Sequence, residues 1–190
     1  VKRVLLASLA LGLALSSCTD IAESTSTSSV GALGSTPVAT ISDQDSLAPN
    51  ATVDRVVDGD TIVADINGTR ERVRLLGIDT PESVAETRPD QCYGVEASDY
   101  LKALLPKGTE ITLIRDKEVR DQYDRLLAYV IRSDDQLFVN LDLLLQGYAG
   151  VLIYSPNDYY EALFTEAENT AISGDVGLWG VCGGPDVPLE

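Results

Sequence analysis

Histidine is missing from all 190 residues, and cysteine occurs only three times. Without histidine there can be no Ser-His-Asp or Cys-His nucleophile system, and no His-ligated zinc, haem or facial-triad iron. Three cysteines are too few for a four-thiolate zinc site. Positive charge is scarce as well: 14 Lys and Arg stand against 30 Asp and Glu, a formal net charge of −16. What is left for chemistry is carboxylate, Arg, Lys, Tyr and hydroxyl groups. That set suits hard, oxygen-bound cations such as Ca2+ or Mg2+ if a metal is used. Hydrophobic residues make up 44% of the chain, enough to build a core, so disorder throughout is excluded. The length fits one domain plus a tail, since domains most often hold roughly 100–150 residues.

Long apolar runs are also lacking. Lys2 and Arg3 precede the apolar stretch Val4–Leu15, whose 12 residues fall short of the about 20 needed to span a bilayer as a helix. The stretch fits the hydrophobic region of a signal peptide, residues 1–17. Its end, Leu15-Ser16-Ser17-Cys18, resembles a bacterial lipobox, in which Cys18 is lipidated and becomes the first mature residue. Ser17 stands where Gly or Ala is more usual, and an ordinary signal peptide with an incidental Cys is the alternative. Loss of residues 1–17 removes Lys2 and Arg3 and leaves a net charge of −18. Residues 18–50 are rich in Ser, Thr and Ala, without periodic pattern, and read as a flexible tether. A lipid on Cys18 would hold the chain at the membrane, as an exported lipoprotein of the cell surface or envelope, or one released outside the cell.

From Ala51 the pattern becomes period-two and β-branched. Thr52–Val57 and Thr61–Ile66 flank Asp58-Gly59-Asp60, and Asn67-Gly68 leads into Thr69–Ile78. Asp-Gly and Asn-Gly are turn dipeptides because Gly accepts positive φ, so three consecutive antiparallel strands are expected. Ala97, Leu101, Leu104 and Leu105 recur at helical spacing between Gly94 and Pro106. Ile111–Ile114 and Leu126–Ile131 alternate as strands. Asn140 is expected to cap a helix over Leu141–Gln146 that Gly147 ends. Val151–Tyr154 reads as a brief strand. Asp158 and Glu161 form a capping box for a last helix that buries Tyr160, Leu163, Phe164, Ala167 and Ala171 and stops at Gly174. Five strands with a helix between the third and fourth point to a mainly β fold with α elements, a five-stranded OB-type barrel with about three attached helices.

Three segments in order carry the chemistry: Asp58-Gly59-Asp60-Thr61; Arg74-Leu75-Leu76-Gly77-Ile78-Asp79-Thr80-Pro81-Glu82; and Asp121-Gln122-Tyr123-Asp124-Arg125-Leu126-Leu127-Ala128-Tyr129. With Tyr93-Gly94-Val95-Glu96-Ala97 and Gly177-Leu178-Trp179 they make the chain resemble the staphylococcal nuclease (thermonuclease) family, from Ala51 to about Trp179. The resemblance implies Asp60, Asp79 and the Thr80 carbonyl as ligands of Ca2+, Arg74 and Arg125 as catalytic arginines, and Glu82 as the group that activates water. Around Tyr154 the match needs a one-residue deletion, so only Tyr154 has a clear counterpart among the family's two nucleotide-contacting tyrosines; Tyr123, inside the third motif, is a further candidate for binding substrate. The implied reaction is Ca2+-dependent hydrolysis of DNA and RNA that leaves 3′-phosphate ends, by a monomer.

The residue types suit that chemistry. Negative charge grows on the phosphoryl oxygens as water attacks a phosphodiester, so positive charge must be placed beside them. Two carboxylates at strand ends can hold one Ca2+. Arginine forks can grip two phosphate oxygens, which Lys cannot. Glu82, with an ordinary pKa of about 4.3, is a weak base unless its site raises it. Taken singly, Asp60 could be a turn carboxylate, Asp79 to Glu82 a cap before a loop, and the arginines surface ion-pair partners. All five together are hard to explain that way.

Some features depart from the family pattern. The staphylococcal enzyme for which the family is named is basic, whereas here residues 70–132 hold 11 Lys and Arg with 12 Asp and Glu, and residues 133–190 hold 10 acids and no base. Gln122 and Asp124 stand where that enzyme has Lys and Gly, which removes one phosphate-directed cation and adds an anion. Arg70, Arg72 and Arg74 alternate along one strand and share a face, either as a basic stripe or as a solvated charge ladder. In an exported chain Cys92 and Cys182 form a disulfide or remain two buried thiols. The bond would staple the C-terminal tail to the loop before the first helix, for about 4 kcal/mol of chain entropy. The organisation expected is therefore signal peptide 1–17, lipidated Cys18 and tether 18–50, nuclease-like domain 51–183 and tail 184–190. The leading reading is a membrane-anchored Ca2+-dependent nuclease. The alternative is a catalytically weak OB-type surface module that binds oligonucleotides or another ligand.

Overall fold

Where the sequence alternates, the chain is extended. A computed structural model describes residues 49–83 and 91–189. The signal peptide, Cys18 and nearly all of the tether lie outside the described residues. Asn50, the last residue assigned to the tether, is already held by the sheet: its side chain donates to the Leu113 carbonyl (3.0 Å) and accepts from the Leu113 N–H (2.8 Å).

Strands β1 (Ala51–Val56), β2 (Thr61–Ile66) and β3 (Thr69–Leu75) form an antiparallel meander. Asn67 and Gly68 both take positive φ at the β2–β3 turn, the geometry that matches the strands' twist. The third run ends earlier than expected. Gly77, at φ +77, turns the chain so closely against Phe164 that a Cβ there would lie 2.5 Å from the ring. Ile78–Asp79 (β4) consequently leaves the barrel and pairs with β8 (Gly150–Val151).

Helix α1 (Gly94–Leu104) follows, then β5 (Glu110–Ile114), β6 (Leu126–Arg132), β7 (Leu137–Phe138), α2 (Val139–Leu145), α3 (Glu161–Ser173) and α4 (Leu178–Val181). The sheet runs β3-β2-β1-β5-β6-β7, and a parallel pairing of β3 with β6 closes a five-stranded mixed barrel of the OB type with four helices. Inside it Val53, Ile62, Val73, Leu75, Ile111 and Val130 are buried. A second layer joins Tyr129, Phe138, Tyr160 and Phe164 through edge-to-face and tilted ring contacts that couple β6 to α3.

Two caps differ from expectation. Asn140 lies within α2, fully buried, where its amide accepts from Val130 N–H (2.9 Å) and donates to the Leu76 carbonyl (2.8 Å). Two buried backbone groups need those bonds more than the helix end does. Asp158 does not cap α3 either: its carboxylate pairs with Lys117 at 2.6 Å, and no side chain caps the helix at Tyr160. Phe164, Ala167 and Ala171 are buried as expected, while Tyr160 and Leu163 are only half-buried. The brief strand expected over Val151–Tyr154 is confined to Gly150–Val151. β7 and α4, two and four residues long, were too short to carry a periodic signal. Among the described residues no helix is long and apolar enough to cross a membrane.

Candidate active site

The β3–β6 pairing aligns Val73 with Leu126 and Arg74 with Leu127, which sets Arg125, just before β6, at the same barrel end as Arg74. The Asp58-Gly59-Asp60 turn reaches that end as well, closed by the Val57 N–H donating to the Thr61 carbonyl (2.8 Å). Gly59 is required there, because a Cβ would lie 2.5 Å from the Thr80 hydroxyl. A cleft of about 520 Å³ opens between these elements, lined by Asp58, Asp60, Arg74, Asp79, Glu82, Asp121, Tyr123, Arg125 and Tyr154 among others. Of the candidate residues on the barrel, only Thr80 is not on the wall, and it sits directly behind Asp60.

Asp60 is buried. One carboxylate oxygen accepts from the Thr80 N–H (3.2 Å) and hydroxyl (3.4 Å) and meets Arg74 Nη2 at 3.0 Å; the other accepts from the Thr61 hydroxyl (3.0 Å). Arg74 Nη2 also reaches Asp79 Oδ1 at 2.7 Å. Its Nη1 donates to the carbonyls of Leu75 (2.6 Å) and Ile78 (2.7 Å). The guanidinium thus bridges the two candidate metal carboxylates and pins the turn between β3 and β4. The sequence suggested that both arginine forks face the phosphate; here the Arg74 fork is held by protein acceptors.

Arg125 is placed differently. Its Nε donates to Asp121 Oδ2 (2.7 Å), and Asp121 Oδ1 accepts the backbone N–H groups of Tyr123 and Arg125, both at 2.9 Å. The guanidinium carbon lies 5.6 Å from the centre of the exposed Tyr123 ring. Among the described residues its terminal amino groups have no hydrogen-bond or ion-pair partner, and Arg125 lines the cleft. Tyr154, also exposed, lines the same cleft. The loops bearing the two tyrosines are laced together by buried Asn157, which accepts from the Glu118 N–H (2.7 Å) and donates to its carbonyl (3.2 Å).

The cleft's electrostatics are unbalanced, with six carboxylates and two guanidinium groups on its wall. Burial pushes Asp79 up to about 6; Arg74 pulls against this, and the anions Asp60, Asp186 and Glu82 add to it. Burial, with the charge of Asp60, also raises Asp58 to about 6. A wall with more carboxylates than cations is a fitting environment for a hard cation. Among the described residues no three Asp, Glu or Cys side chains converge closely enough to hold an ion by themselves. A cation would therefore rest on Asp60, Asp79, the Thr80 carbonyl and water.

Sequence reasoning gave no role to Asp58, Asp121, Gln91 or Asp186. Asp58 and Asp121 could have been found as acids inside the quoted motifs. Gln91 and Asp186 carry no local signal, since they meet only through the fold. The Cys92–Cys182 disulfide is formed, with Cα atoms 6.0 Å apart.

A family model described as "Staphylococcal nuclease homologue" matches residues 72–181. The chain is 42% identical over 127 residues to the thermonuclease of Staphylococcus intermedius, covering 67% of this chain and 74% of that one. It is 38% identical over 125 residues to the thermonuclease of Staphylococcus hyicus (66% and 72%), and 40% identical over 136 residues to the endonuclease YncB of Bacillus subtilis (70% and 63%).

Proposed function

The chain belongs to the staphylococcal nuclease family, and on that premise we propose that it is an exported, Ca2+-dependent phosphodiesterase that cuts DNA or RNA and leaves 3′-phosphate ends. The observation that carries this reading is the convergence of Asp60, Asp79, Glu82, Arg74 and Arg125 on one cleft whose wall holds more carboxylates than cations. A phosphodiester would be repelled from such a wall unless a cation offsets it.

Asp60, Asp79 and the Thr80 carbonyl would hold the ion. When bound, Ca2+ supplies charge neutralisation at the phosphoryl oxygens and an ordered water. Arg125 presents its open fork to a phosphate oxygen, where it stabilises the charge that grows as water attacks. Arg74 keeps the two ligand carboxylates at one spacing and adds positive charge behind them. Glu82 positions the water and takes its proton. The P–O5′ bond then breaks, the departing 5′ oxygen takes up a proton from solvent to become a hydroxyl, and the phosphate stays on the 3′ oxygen. Tyr123 and Tyr154 offer ring faces to the flanking bases, contacts that tolerate any sequence.

Lys2, Arg3, the apolar run to Leu15 and Cys18 support export and a lipid anchor, and an oxidised Cys92–Cys182 pair is what an exported chain favours. The substrate would then be nucleic acid outside the cell, met by a monomer held at the surface. The test is the release of acid-soluble nucleotides from single-stranded DNA with Ca2+ and then with EDTA. Release that needs Ca2+ and falls by several orders in Arg125→Ala supports the reading, whereas equal rates for variant and parent overturn it.

A further inference from the structure

Glu82 is exposed at the rim of the cleft, and what fixes it in place is not the barrel. Its peptide is gripped from both sides by one residue: the Gln91 side-chain oxygen accepts the Glu82 N–H at 2.6 Å, and the Gln91 N–H donates to the Glu82 carbonyl at 2.8 Å. The other end of the Gln91 amide donates to Asp186 Oδ1 at 3.0 Å. Ionised Asp186 can only accept, so it takes the amide NH2 and leaves the amide oxygen to face Glu82.

Asp186 comes from the C-terminal end of the chain, 95 residues away from Gln91. That end is held alongside by the Cys92–Cys182 disulfide, by the Cys92 N–H donating to the Val187 carbonyl (2.7 Å), and by an antiparallel bridge between Gln91 and Pro188. Gly94, the first residue of α1, closes the arrangement: a Cβ there would lie 2.5 Å from the Glu82 carbonyl oxygen.

We propose that residues 182–188 are a disulfide-pinned strap, and that Gln91 and Asp186 are positioning residues that hold the Glu82 segment at the cleft. The proposal rests on the reading of Glu82 as the water-positioning group. A carboxylate that must meet a water within a few tenths of an ångström loses rate when its backbone is free to drift. Substrate grip, which lies with Arg125 and the tyrosines, is untouched by the strap. Its loss therefore lowers kcat and leaves KM in place.

The experiment uses the full chain and single-stranded DNA, with kcat and KM measured separately and thermal midpoints recorded for every variant. Gln91→Glu keeps an acceptor for the Glu82 N–H but sets two carboxylates against each other, and kcat is expected to fall about tenfold or more at unchanged KM. Asp186→Ala behaves similarly, and Asp186→Asn, which keeps an acceptor, falls less. The double variant Gln91→Glu with Asp186→Asn restores a donor and acceptor pair in reversed sense and recovers most of kcat. Parental kcat in Gln91→Glu, or no recovery in a folded double variant, overturns the strap. Hydrogen exchange at the Glu82 amide reads the same contact without turnover: it speeds at least tenfold in Gln91→Glu and Asp186→Ala and slows again in the double variant. A parent that cleaves nothing yet shows this exchange pattern overturns the functional reading and leaves the strap standing. Unchanged exchange overturns the strap whatever the activity.

Discussion

The two arginines of the cleft are built in opposite ways. Arg74 stands on strand β3, and its fork is engaged by two carboxylates and two carbonyls. Arg125 stands on a loop, is held through one nitrogen by a neighbour four residues away, and leaves its terminal nitrogens open to the cleft. One guanidinium therefore organises the protein while the other is available to a ligand. Two residues of the same type can share a site and a sign of charge and still divide its work, because what a guanidinium does depends on which acceptors reach it first.

Four measurements would break or sharpen that contrast. The largest effect is expected on turnover: Arg125→Ala should lower kcat by about 10^3-fold or more, since a donor aimed at developing charge is removed. Arg74→Ala should lower it by a comparable factor, so kinetics alone will not separate the two. Stability will. Arg74 and Asp60 are both nearly enclosed, and breaking a buried pair leaves uncompensated charge. Arg74→Ala is expected to cost about 3 kcal/mol in denaturant unfolding. Arg125→Ala removes a local, part-buried ion pair to a carboxylate that keeps the backbone N–H groups of Tyr123 and Arg125, and should cost less, about 1 kcal/mol. Equal losses would abolish the distinction.

Next in size is the response of the metal-free protein to pH. Asp58 and Asp79 are raised to about 6 in the fold, from an ordinary value of 3.8. Between those values the folded chain binds more protons than the unfolded chain, so stability is lost as pH rises through 6. With EDTA, the thermal midpoint should rise on going from pH 7 to 5, and saturating Ca2+ at pH 7 should remove most of that gain. Asp142, raised by burial, acts in the same direction. Asp121, where burial is outweighed by hydrogen bonds from Arg125, and Asp135, held low by its bond to Arg132, lose their contribution only at lower pH. A midpoint that falls steadily from pH 7 to 5 would contradict the charge excess assigned to the Arg74 side.

The smallest effect belongs to the loop beside Arg125. Gln122→Lys adds a cation to the cleft wall and should lower KM a few-fold at low salt, with the advantage vanishing at high ionic strength. A salt-independent change would mean that the new side chain acts by contact, not by field.

Much of this was legible along the chain. The alternation of Thr61–Ile66 and the Asn67-Gly68 dipeptide are local statements, and a strand and its turn formed where they stood. Glycines 59 and 77 sit at close approaches to Thr80 and Phe164 that no local pattern names. Asn140 has the type and spacing of a cap, yet a buried backbone donor on β6 and a carbonyl beyond β3 claimed its amide. Asp158 was likewise taken by Lys117, 41 residues earlier. In each case a polar group chose the partner that would otherwise go unsatisfied or carry an unpaired charge, and that choice is made between elements distant in sequence.

By itself the sequence determined the family, the strands, the candidate residues of the cleft and the possibility of the Cys92–Cys182 bond, because residue type, turn chemistry and period-two patterning act over a few residues. Only the tertiary structure decided which guanidinium has its terminal nitrogens engaged by protein and which leaves them open, and that a glutamine at position 91 joins Glu82 to Asp186. Those outcomes depend on the parallel closure of β3 on β6 and the return of the C-terminal segment, contacts whose geometry is set by burial and hydrogen-bond satisfaction across the whole fold.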